Sequence, residues 1–71
     1  MMLQGYIIKK DGKYLYGRQI TYFGIYKYDA ARIRSLDAAR AIVMKLARAG
    51  EKWQINYFNH LNGEERKVLP R

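Results

Sequence analysis

The chain has no cysteine, which excludes disulfides, thiolate zinc sites and a cysteine nucleophile together. Aliphatic hydroxyl and imidazole groups are nearly as scarce: Ser35 is the one serine, Thr21 the one threonine and His60 the one histidine. Ser35 is spoken for as a helix cap, and His60 falls in an expected turn without an obvious carboxylate partner. A nucleophile–base pair therefore has almost no material. Asp11, Asp29, Asp37, Glu51, Glu64 and Glu65 are scattered over turns and element ends, with no spacing that suggests metal ligands or an acid–base couple. The glycines form no phosphate-loop pattern. The expectation is a non-enzymatic protein without metal or cofactor. Long apolar runs are missing too, and the opening MMLQGYIIKKDG has no basic segment followed by an apolar one. A cytoplasmic chain without membrane association is expected.

What the chain does have is positive charge. Fourteen Lys and Arg against six Asp and Glu give a formal charge of +8 on 71 residues, which points to a polyanionic partner. That length suits one domain, 1–71. A core of this size supplies only about 3–5 kcal/mol of net stability, so compactness or self-association has to help.

Ser35 to Gly50, SLDAARAIVMKLARAG, is the one stretch with clear helical periodicity. Leu36, Ala39, Ile42, Val43 and Leu46 fall on one stripe, with Arg40, Lys45 and Arg48 off it. Ser35 and Asp37 suit the helix start, and Gly50 is the expected stop. So short a helix needs a flat apolar surface to cover it, and strands supply one. Tyr6 to Lys10 and Lys13 to about Arg18 read as a hairpin about Asp11-Gly12, since both turn positions favour positive φ. Its register puts Tyr6, Ile8 and Leu15 on one face. Ile7, Lys9, Tyr14, Tyr16 and Arg18 fall on the other.

Gln19 to Tyr28, QITYFGIYKY, reads as a strand-like excursion or long loop, because Gly17 just before it and Gly24 within it interrupt the aromatic and β-branched residues. Ala30 to Arg34 is expected to deliver Ile33 to the core. Lys52 to Asn59 alternates Trp53, Ile55 and Tyr57, assigned to the helix side, against Gln54, Asn56 and Phe58. A turn at His60 to Gly63 and an edge strand from Glu65 to Leu69, ended by Pro70, complete the chain. The predicted fold is α+β: an antiparallel sheet of about four strands with one helix across one face, in the order ββαββ.

The runs YIIKKDGKYL, ARIRSLDAARAI and WQI resemble small bacteriophage and prophage proteins that read as strand, strand, helix, strand. In those a short Ala-Arg-aromatic-x-Ser/Thr run leads into an Ala-rich helix. Here the run is Ala31-Arg32-Ile33-Arg34-Ser35, with Ile33 in the aromatic position. The group has mostly unassigned functions and is similar in build to some anti-CRISPR inhibitors. The resemblance implies a mobile-element origin and a bacterial host cell, and it carries over no functional residue.

Tyrosine stands out, with seven in the chain, several interleaved with Lys or Arg. On the hairpin register Tyr14 and Tyr16 would present rings beside Lys9 and Arg18, a platform for stacked bases with cations for phosphates. An ordinary strand surface, covered by residues 19–28 or by a second subunit, is the competing reading. Arg40, Lys45 and Arg48 about Met44 form a second cationic strip, which could meet phosphate or an acidic protein groove. Arg32 and Arg34 extend either surface. Two functions stay open: a nucleic-acid-binding accessory protein, and an inhibitor or adaptor docking on a host protein that itself handles nucleic acid. A homodimer through the face away from the helix, or through an edge strand, is also expected.

Overall fold

Asp11 at φ 51° and Gly12 at φ 84° make the tight turn their residue types favour. That turn joins β1 (Gln4–Lys10) to β2 (Lys13–Leu15) in the expected register, with Lys9 opposite Tyr14 and Lys10 opposite Lys13. The computed structural model describes residues 3–17 and 22–69. Beyond β2 the stretch expected to be irregular contributes a short strand, β3 (Phe23–Gly24), which pairs with β2. The first part of that stretch, Gln19 to Thr21, lies outside the described residues, as does Pro70. Gly24 interrupts the aromatic run because the Tyr16 ring packs over it, and a Cβ there would meet that ring at 2.3 Å.

The remaining elements are α1 (Leu36–Leu46), β4 (Trp53–Asn59) and β5 (Glu64–Leu69). The sheet is antiparallel with five strands in the order β3-β2-β1-β4-β5, one strand more than the sequence suggested. β1 is central and pairs with β4 along its whole length, from Gln4 opposite Asn59 to Lys10 opposite Trp53. On its other edge, where β2 has ended, Tyr6 and Ile33 exchange two main-chain hydrogen bonds of 2.8 Å. Ile33 reaches the core in this way, fully buried. Between β4 and β5 the register slips after Ile55, leaving Val68 as an extra residue on β5.

The Ser35 side chain caps α1 by accepting from the Ala38 N–H at 3.1 Å. The helix ends at Leu46, short of the expected Gly50. Glu51 explains the early stop: its Oε1 accepts from the Arg48 N–H at 2.7 Å, so that group does not continue the helical ladder. Gly50 instead serves the turn into β4, closed by the Glu51 N–H to the Arg48 carbonyl at 3.2 Å.

The sheet buries both faces, which accounts for Ile7 and Ile8 being buried side by side. On the helix side Ile8, Leu15, Ile33, Ala39 and Ile55 form the core, flanked by half-buried Leu36, Ile42, Val43 and Trp53. Leu46 and Trp53 are half-buried rather than enclosed. On the far side Ile7, Tyr14, Ala30 and Phe58 form a second core, with Tyr16 against it. The far face is thus covered by the chain's own segment around Ala30, not left open. A short 3-10 turn, Lys27–Asp29, begins that cover.

Candidate nucleic-acid interface

Cover over the far face decides which tyrosines are free. Tyr14, expected to present its ring, is only 9% exposed, with its O–H donating to Glu65 Oε1 at 2.8 Å. Burial first, and then the Glu65 hydrogen bond and charge, push its pKa up to about 12. Glu65 also accepts from the Asn56 amide and lies 4.0 Å from Lys9, whose ammonium sits 4.9 Å from the Tyr14 ring centre. Gln54 donates to Asn56 at 2.7 Å and extends the network. Tyr14 is a bolt across the sheet, and a ring so buried has no face to offer a base.

Tyr16 is half-buried: its hydroxyl accepts from the Tyr26 N–H at 2.8 Å and its ring meets Tyr22 edge-on at 5.4 Å. The expected hairpin platform is therefore not assembled from these two rings. Arg18, its fourth expected member, lies outside the described residues.

Exposed rings are found one segment later. Tyr22, Tyr26 and Tyr28 are 56%, 66% and 50% exposed, and Ile25 beside them is 68% exposed. Sequence reasoning passed over this run because Gly24 obscured any strand period. The available signal was excess: QITYFGIYKY has more aromatic residues than a strand face can bury. Tyr28 is held at its base by edge-on contacts to Phe58 at 5.5 Å and His60 at 5.0 Å. Lys27 donates to the Gly63 carbonyl at 3.0 Å and lies 5.6 Å from the Tyr28 ring. Gly63, at φ 72°, leaves room as well as turning the chain, since a Cβ there would meet the Tyr28 hydroxyl at 2.8 Å.

Arg32, expected as a surface contact, is a fastener instead. Its guanidinium lies 4.7 Å from the Phe58 ring and donates to the carbonyls of Ala30 and, at 3.3 Å, Tyr28. It also donates to His60 Nδ1 at 2.7 Å. A guanidinium has no acceptor, so Nδ1 accepts and the imidazole proton sits on Nε2. His60 is thus packed into the cover rather than being a plain loop residue. Arg32 Nε is buried without a partner among the described residues. Burial lowers the Arg32 pKa, and the charge of Asp29 offsets part of this.

The other cations expected on and before the helix, Arg34, Arg40, Lys45 and Arg48, are exposed, and among the described residues none has a carboxylate within 4.0 Å. A cavity of about 530 Å³ at the turn end of the sheet gathers Lys9, Lys52 and Lys67 beside Gln54. Its acids are engaged: Asp11 accepts from the Lys52 N–H at 3.2 Å, and Glu51 lies 3.4 Å from Lys10. Hydrogen bonds from Trp53 and from the Arg48 backbone hold the Glu51 carboxyl below its usual range, with Lys10 assisting.

Among the described residues no group of three or more His, Asp or Glu could hold a metal ion, and no helix is long and apolar enough to cross a membrane. Self-association through the far face finds its apolar surface already covered by Ala30 and Tyr28. No family model, curated protein or solved structure matches the chain.

Proposed function

We propose that this chain is a non-catalytic nucleic-acid-binding protein that prefers single strands. The observation that carries this is the exposure of Tyr22, Tyr26 and Tyr28 on one short segment of a chain of charge +8. Rings free on a surface can stack only on bases that are themselves unpaired, while a duplex offers mainly phosphates. The lysine-lined cavity supplies cations for the backbone on the same side of the sheet. Phe58, beneath Tyr28, and Gln54, in the lysine cavity, are four residues apart on β4. At the usual strand rise the two sites are roughly 13 Å apart along one face. A strand of nucleic acid can then lie across the far side, with bases on tyrosine and phosphates on lysine.

Fluorescence anisotropy with labelled single strand and duplex at several salt concentrations tests this. Log affinity should fall linearly with log salt, by about 0.7 per phosphate neutralised on a single strand. Tyr26→Ala should weaken single-strand binding by about 1–3 kcal/mol with little change in slope, because stacking releases few ions. Lys67→Gln should flatten the slope by about one contact. No binding at low salt would refute the reading.

A further inference from the structure

The opposite side of the sheet carries a second surface, independent of the first. Helix α1 packs over β1 and β4, and between it and β5 runs an open groove of about 400 Å³. Val43, Met44, Trp53, Ile55 and Leu69 line it, with Arg40 at its rim. Met44 is 83% exposed, an unusual position for so apolar a side chain. Trp53 forms a rigid wall, fixed by an N–H to Glu51 Oε1 at 3.1 Å and by an edge-on contact with Phe23 at 5.9 Å. A tryptophan anchor, a pliable methionine and an arginine are the residue types enriched where proteins bind one another.

Charge selects the occupant. Arg40 has no carboxylate within 4.0 Å among the described residues, and the exposed Lys45 and Arg48 add positive charge at and just beyond the end of the helix. A second copy would bring another +8 against this rim, whereas an acidic segment would neutralise it. The geometry points to a docking site for an acidic segment of a partner protein, with an apolar side chain seated between Met44 and Trp53 and carboxylates on Arg40. Nothing in this inference depends on the far face binding nucleic acid.

Trp53 is the one tryptophan, so its emission reports on the groove directly. The probe is a capped peptide of leucines flanked by glutamates, with glutamate–serine and lysine–leucine peptides as controls. The glutamate–leucine peptide should blue-shift the emission saturably, and each control should bind roughly tenfold more weakly or worse. Met44→Glu should weaken binding by roughly tenfold or more. That side chain is exposed, so the urea midpoint should stay unchanged, which separates lost binding from lost folding. Arg40→Ala should weaken the acidic peptide selectively. Absence of a saturable shift, or an equal response to the lysine–leucine peptide, would overturn the proposal. So would a shift that grows with protein concentration alone, which would seat a second copy in the groove. A shift produced by a single-stranded oligonucleotide and abolished by Met44→Glu would assign the groove to nucleic acid instead.

Discussion

The two faces of the sheet are covered by different means. On one side a capped helix lays a periodic apolar stripe over Ile8, Leu15 and Ile55. On the other, an irregular segment drops Ala30 onto Ile7, Tyr14 and Phe58, and it is pinned by Lys27, Tyr28 and Arg32. The helical cover satisfies its own main chain. The irregular cover has no such ladder: Arg32 donates to its own Ala30 and Tyr28 carbonyls, and Lys27 and Arg32 reach acceptors in the turn after β4, the Gly63 carbonyl and His60 Nδ1. A layer whose regular structure is one short 3-10 turn is thus held by a few point contacts, and each should matter more than a residue of the helix.

The largest effects should come from emptying either core. Phe58→Ala on the far side should cost about 3–5 kcal/mol and Ile8→Ala on the helix side about 2–5 kcal/mol, each comparable to the whole stability of so small a domain. Urea unfolding followed by circular dichroism measures both. If Phe58→Ala unfolds like the parent, the irregular cover is decoration and the comparison fails.

Cutting the fastener comes next. Arg32→Met keeps the stem over Phe58 but leaves the Ala30 and Tyr28 carbonyls and His60 Nδ1 without their donor. The expected cost is about 1–3 kcal/mol. Amide hydrogen exchange locates it: exchange should quicken at Ala30 and Ala31 while Ile42 and Val43 in the helix keep their protection. Uniform acceleration along the chain would mean that the two covers are one cooperative unit.

The smallest effect is a matter of pH. Folding pushes the Tyr14 pKa up from its ordinary value of 10.0 to about 12, so it favours the neutral form. Its contribution is therefore complete below pH 10.0 and is lost as pH rises towards about 12. Parent stability should fall across that window by more than that of Tyr14→Phe, which has no proton to lose. Parallel decline of the two proteins in urea titrations would show that burial and the Glu65 hydrogen bond do not hold Tyr14 in its neutral form in solution.

The same contrast explains what could be read beforehand. Asp11-Gly12, the Ser35 cap, the stripe through Ala39 and the alternation of Trp53 and Ile55 are local signals, and each led to the right element on the right face. The far cover left no such signal, because Ala30, Tyr28 and Arg32 act singly and without period. Tyr14 shows why the candidate platform was misread. Its register is correct, but the partner that satisfies its hydroxyl is Glu65, on a strand far along the chain. Exposed cations were legible from composition and helix phase. Which tyrosines remain free depends on the cover, and that is a tertiary property.

Central placement of β1 has a consequence for the order of assembly. Its hairpin with β2 closes over a two-residue turn and forms on a timescale on the order of microseconds. Its long pairing, however, joins Gln4 to Asn59 and Lys10 to Trp53, so one edge of β1 stays unpaired until β4 arrives. Contacts of such sequence separation place folding towards the slower range, on the order of milliseconds to seconds. During synthesis the early hairpin must wait for residues 53–59 to leave the ribosome, and in that interval its bare edge is the part of the chain most open to pairing with the wrong strand.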